Sequence, residues 1–181
     1  MRKISHINLG SFLLEQEDFQ MKRKTFLFGN ILPDCLPTFI YVKHNIDRTI
    51  TKVEKLLEDL YKLDSNSYRF WIKLGCIMHY IADYFTYPHT RLYHDGFWKH
   101  NFYEKRLKDR FREHLEEIQE KHIQFLRTSE ELIFYIKEKQ NSYFSEKKQN
   151  RMDVDLDIDY IYEVCYTIFE NICYKKQLAT I

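Results

Sequence analysis

Apolar residues recur along this chain at helical rather than alternating spacing. Ile4, Ile7, Leu9, Phe12, Leu13 and Leu14 predict a short amphipathic helix over about the first fifteen residues. A second helix is expected from Asp18 to Phe28, stopped by Gly29-Asn30 and reinforced by Pro33. Ile50, Val53, Leu56, Leu57 and Leu60 mark a third, from about Ile46 to Leu63, whose charged residues Lys52, Glu54, Lys55, Glu58 and Asp59 form a solvated face. After the polar break at Asp64-Ser65-Asn66-Ser67, Ser67 is the candidate N-cap of a fourth helix reaching about Phe85. Trp71, Leu74, Met78, Ile81 and Ala82 cover most of that helix's circumference, so it should be buried on several sides. Pro88 ends it and leaves His89 just beyond its end.

Thr90 to Phe97, with Gly96, reads as a loop, and a long helix follows from Trp98 to roughly Leu126. Another is expected near Ser129 to Phe144, then a polar break from Ser145 to Arg151. The last spans about Leu156 to Lys176, with Tyr160, Ile161, Val164, Cys165, Ile168, Phe169, Ile172 and Cys173 as its inner stripe. The fold class expected is therefore all-α, a single-domain multi-helix bundle over residues 1–181. Only four glycines and three prolines argue against many short strands, and 44% hydrophobic content suffices for one sizeable core.

Charge narrows the partners. The 28 basic and 27 acidic residues nearly cancel, so no global field recruits nucleic acid. The start, MRKISHINLGSFLLEQED, lacks the apolar run of a signal peptide, and no stretch approaches the ~20 apolar residues of a membrane span, so a cytoplasmic location is expected. Cys35, Cys76, Cys165 and Cys173 show no Cys-x-x-Cys spacing, and buried free thiols are the expectation.

The chemistry concentrates between Leu74 and Glu104, which hold four of the eight histidines. His79 with Asp83, and His100 with Glu104, stand four apart, so each pair shares a helix face and can grip one cation. Gly75, four before His79, also lies on that face, where a missing side chain lets a metal or a neighbouring backbone come close. Asp34 sits between Pro33 and Pro37, which can present its carboxylate rigidly or simply make it a turn former. His6 and His44, taken alone, are ordinary polar residues. His114 and His122 have no carboxylate partner at metal spacing and read as surface residues. Tyr80, Tyr84, Phe85, Tyr87 and Tyr93 surround the ligand-type residues, as core or as pocket wall. Asp153, Asp155, Asp157 and Asp159 lack the glycine and glutamate of a calcium loop and read as an acidic helix entrance.

The ordered series His6, Asp34, His44, His79-x-x-x-Asp83, His89 and His100-x-x-x-Glu104 resembles the ligand series of the bacterial zinc-dependent phospholipase C family, whose trinuclear core is similar to that of fungal single-strand nucleases. The resemblance covers about the first 105 residues. It implies a zinc-dependent phosphodiester hydrolase with two or three Zn2+ ions and a phosphate-ester substrate such as a phospholipid. Asp34, His44, His79 and Asp83 would hold one zinc, and His89, His100 and Glu104 a second. Asp83 would bridge to a third held by His6, with Asp34 also the candidate general base. Secreted members begin, after processing, with a tryptophan whose amino group and carbonyl complete the third site. Here Met1, which the bulky Arg2 would leave in place, is the candidate substitute through its own amino group. Cys35 stands where choline-preferring relatives carry an aromatic residue, so a choline head group is not implied.

Two other readings remain open at this point. A retained metal site can serve structure without catalysis. The doublet His94-Asp95 resembles that of HD-type metal phosphohydrolases, but this leaves Asp83, His89, His100 and Glu104 unexplained. A di-iron bundle needs a Glu-x-x-His repeat, which the chain lacks.

Overall fold

The computed structural model describes residues 1–15, 22–35, 44–118 and 123–178. Seven α-helices form among them: α1 (Lys3–Glu15), α2 (Arg23–Ile31), α3 (Ile46–Tyr61), α4 (Tyr68–Tyr84), α5 (Phe97–Glu117), α6 (Ser129–Lys147) and α7 (Val154–Leu178). Single 3-10 turns occupy Leu32–Cys35 and Tyr87–His89. No strand occurs among the described residues, and no helix there is long and apolar enough to cross a membrane.

Helix α4 is the axis of the bundle, packed by α1, α2, α3 and α7. It starts where Ser67 Oγ accepts the Phe70 N–H at 3.2 Å, and Asn45 caps α3 in the same way through Arg48. Leu74, Ile77, Met78, Ile81 and Ala82 are fully buried. Ile158, Ile161, Val164, Cys165, Ile168, Phe169 and Ile172 of α7 are as deeply buried, so the last helix is a core element rather than a peripheral addition.

Two glycines set how closely α2 approaches α4. A Cβ on Gly29 would lie 2.3 Å from the Ile72 carbonyl oxygen, and one on Gly75 would lie 2.3 Å from the Phe26 carbonyl oxygen. The two helices therefore touch backbone to backbone, a distance open only to glycine. This corrects the expected stop at Gly29-Asn30: both residues lie inside α2, which runs on to Ile31. The expected start at Asp18 lies outside the described residues, and the described helix begins at Arg23.

Three further boundaries differ from expectation. Helix α5 ends at Glu117 rather than near Leu126, because Leu126 is buried on a non-helical segment, with its N–H donating to Asn171 Oδ1 of α7 at 2.8 Å. Helix α6 continues past Phe144 to Lys147, and Lys147 is fully buried instead of lying in a polar break. Helix α7 begins at Val154, with Asp153 Oδ1 accepting the N–H groups of Asp155 and Leu156. Of the thiols, Cys165 and Cys173 are buried, Cys76 is half-buried, and Cys35 is exposed, against the expectation of burial for all four.

Candidate metal centre

Helix α4 carries His79 and Asp83 on one face, and both are completely buried. His79 Nδ1 donates to the Asn30 carbonyl at 2.8 Å, an interaction made possible by the glycine contact between α2 and α4. The tautomer this fixes leaves Nε2 with its lone pair facing inward, 3.4 Å from Asp83 Oδ2 and 3.6 Å from Asp34 Oδ1. His44, entering just before α3, brings Nδ1 to 3.0 Å from His79 Nε2, 3.2 Å from Asp83 Oδ2 and 3.7 Å from Asp34 Oδ1. Asp34 stands on the 3-10 turn Leu32–Cys35, with its side chain 18% exposed.

On the opposite flank, His89 ends the turn Tyr87–His89, and α5 supplies His100 and Glu104 from its first two turns. His89 Nε2 and His100 Nε2 both lie 3.2 Å from Glu104 Oε1, while His89 Nδ1 lies 3.7 Å from Asp83 Oδ2. From α1, His6 places Nε2 3.4 Å from Asp83 Oδ1 and stacks on the His79 ring at 3.9 Å between centroids. The Met1 amino group donates to Asp83 Oδ1 at 2.6 Å and lies 2.8 Å from His89 Nε2 and 3.3 Å from Glu104 Oε1.

Donor atoms of these residues fall into three groups compact enough to hold an ion: His6, His79 and Asp83; Asp34, His44 and His79; His89, His100 and Glu104. All eight residues singled out in the sequence converge, and Asp83 lies against each group. The chemistry of the donors fits zinc, which takes imidazole nitrogen and carboxylate oxygen. A second observation fits it too. His6 is 0% exposed, yet neither ring nitrogen makes a hydrogen bond. A buried polar group without a partner costs roughly 1–3 kcal/mol, and a cation at Nε2 supplies what the protein does not.

The electrostatics favour ligand-ready states. Burial holds His79 well below the usual imidazole range, and His89 below it, so both rings are neutral near pH 7. Burial alone would raise Asp83 and Glu104, but it is overridden: for Asp83 by the charge of His89, the Met1 amine and His79, the rings being positive in the acid range where Asp83 titrates, and for Glu104 by the charge of the Met1 amine and hydrogen bonds from His100 and His89. Both carboxyls sit below the ordinary range. Asp34 goes the other way, raised by its burial and by the negative charge of Asp83.

The centre opens into a cleft of about 920 Å³, lined by Met1, Lys3, Asp34, His44, His100 and Glu104 and, further out, by Tyr93, His94 and Phe97. Tyr93 is the wall residue among the five aromatics noted from the sequence, since Tyr80, Tyr84, Phe85 and Tyr87 are buried in the core. His94 is exposed at the mouth and Asp95 is bonded to Lys99 at 2.8 Å, so the doublet stays outside the donor groups. His114 is not the surface residue expected: its side chain is 14% exposed, 3.1 Å from Asp159 and 3.6 Å from Asp155 of α7. His122 lies outside the described residues.

Sequence reasoning missed the support beneath His89. Asp157, fully buried on α7, accepts hydrogen bonds from the Tyr87 N–H at 2.8 Å, Tyr143 Oη at 2.7 Å and Tyr103 Oη at 2.9 Å, and pairs with the fully buried Lys147 ammonium at 2.6 Å. Lys147 also donates to Tyr103 Oη and to the Asp153 carbonyl. This network ties the turn bearing His89 to α5, α6 and α7. Its only trace in the sequence is one aspartate standing on the inner side of an otherwise acidic helix start.

A family model described as zinc-dependent phospholipase C matches residues 5–150. Comparison with curated proteins and with solved structures finds no match.

Proposed function

The chain belongs to the zinc-dependent phospholipase C family, and on that premise we propose that it is a phosphodiester hydrolase acting on a phospholipid or related phosphate ester. The observation that carries the proposal is the joining of three donor groups through one buried carboxylate, that of Asp83. In this reading Asp34, His44, His79 and Asp83 would hold one zinc, His89, His100 and Glu104 would hold a second, and His6 with Asp83 would take a third. The Met1 amino nitrogen, 2.6 Å from Asp83 Oδ1, would be a further ligand to that third site. The chemistry that zinc supplies when bound is acidification of water and neutralisation of phosphoryl oxygens.

The chain's own residues divide the remaining work. Asp34, the most accessible carboxylate of the central group, faces the cleft, and its raised pKa suits it to take a proton from the attacking water at a carboxylate oxygen. His79 and His44 stand behind that carboxylate on the buried side, their ring nitrogens 3.6 and 3.7 Å from it. Tyr93 and Phe97 give the cleft an apolar outer wall, and Lys3 gives it a positive charge on the side from which a phosphate would enter.

The test is metal analysis of the purified protein together with hydrolysis of bis-p-nitrophenyl phosphate. Two or three zinc ions per chain, with turnover that a chelator removes and zinc restores, support the reading. Protein that is metal-free, natively stable and inert would end it.

A further inference from the structure

The first two turns of α5 show the solvent an aromatic face beside the mouth of the cleft. Trp98 is 85% exposed, Phe97 74% and Phe102 58%, and Phe97 also lines the cleft. Trp98 and Phe102 stand four apart and so share one side of the helix, with the Phe97 ring 6.1 Å from that of Trp98. Apolar side chains scattered singly over a surface are ordinary, but three together next to a functional opening mark a docking face.

We propose that this face seats the protein on a phospholipid surface, so that the cleft meets its ester at the bilayer interface rather than in bulk water. The inference rests on the phosphoester reading for its purpose, although the face itself is independent of the metal ligands. Two observations favour a lipid surface over another protein. The aromatic face is continuous with the opening through which the phosphate ester would pass. Exposed basic side chains flank it: Lys3 from α1 and Lys105 one turn further along α5, neither in an ion pair among the described residues. Arg2 lies between the two helices, its guanidinium donating to the Asn101 carbonyl. Tryptophan and phenylalanine settle at the level of lipid head groups, with lysine and arginine reaching the phosphates alongside. Lys99, whose charge is already met by Asp95, does not contribute.

The chain contains two tryptophans, and Trp71 is buried in the core, so Trp98 alone reports on this face. Vesicles of phosphatidylcholine with phosphatidylglycerol should shift its fluorescence to the blue, and brominated lipids should quench it. The double variant Trp98→Ala, Phe102→Ala should partition onto vesicles about tenfold or more weakly, with unchanged turnover of bis-p-nitrophenyl phosphate. An absent shift with no co-sedimentation, vesicle binding indifferent to the double variant, or a dimer dissolved by it in a protein that ignores vesicles, each overturns the proposal. Wild-type protein that hydrolyses the soluble ester but ignores vesicles sinks the docking face and spares the hydrolase. Binding without turnover of any phosphate ester does the reverse.

Discussion

Replacing Gly75 with alanine should loosen the centre without touching a ligand. The new Cβ would lie 2.3 Å from the Phe26 carbonyl oxygen and 2.7 Å from the Asn30 backbone nitrogen. An ordinary carbon–oxygen contact is no closer than about 3.3 Å, so α2 must retreat by about 1 Å or the two helices must slide. Overpacking of this kind costs about 1–3 kcal/mol, and alanine's better helix propensity returns about 1 kcal/mol. The net loss is then about 0–2 kcal/mol, or a Tm lowered by up to about 8 °C at this chain length.

The second effect falls on zinc. The His79 Nδ1 to Asn30 carbonyl bond is 2.8 Å long and crosses the same contact. A retreat of about 1 Å breaks it, and loss of such a partner typically weakens metal affinity about 10–100-fold. Thermal melts with zinc and with chelator, and competition with a zinc-binding dye, read the two effects separately. Gly96→Ala is the control, since a Cβ there meets nothing within 4 Å. A Gly75→Ala protein as stable as wild type, with wild-type zinc affinity, would refute the claim that this contact positions His79.

Three other outcomes follow from the geometry. Residues fused ahead of Met1 should reduce zinc affinity at the third site by about tenfold or more, because its amino nitrogen sits in contact with Asp83 and its side chain is buried; a C-terminal fusion should not, and equal affinities would remove Met1 from the ligand set. Lys147→Met should lower stability by about 3–5 kcal/mol by leaving Asp157 buried without its counter-charge, whereas pairing it with Asp157→Asn should recover most of the loss in chemical denaturation; a mild single variant would mean the pair matters little. Chelator-treated protein should lose stability as pH falls below about 6.5, since the unfolded chain takes up protons that buried His79 and His89 refuse; each contributes about 1.4 kcal/mol per pH unit there and nothing above that pH. Asp34 and Asp157, with their pKa values raised, act in the opposite sense toward the acid end, and a Tm that is flat or rises from pH 7 to 5.5 would contradict the imidazole reading.

The parts of the centre legible in the sequence were those with local spacing. His79 with Asp83 and His100 with Glu104 announce themselves because four residues make about one helical turn, and Ser67 marks the start of α4 by its own hydrogen-bonding chemistry. Gly75 could be read as a close approach, though not of what. The rest depended on partners distant in sequence. Gly29 looks like a helix stop until α4 is seen to need its missing side chain. Leu126 looks like the tail of α5 until Asn171 takes its backbone N–H. Lys147 and His114 look like surface residues because their carboxylate partners belong to α7, beyond a turn whose direction no local pattern fixes. Asp153 through Asp159 share a charge, yet only Asp157 turns inward.

The matched segment ends at residue 150, and Asp157 lies seven residues past it. An expression boundary drawn at the end of the match would keep every proposed ligand and discard the anion that anchors one of them. The Tyr87 N–H and three more donors would lose their acceptor, the Lys147 ammonium would be left buried with no counter-charge, and α4 would lose the apolar stripe of α7. Such a fragment should be recovered as insoluble or chaperone-bound chain. The stretch with the least recognisable sequence therefore sets the minimum piece of this protein that can be made and studied.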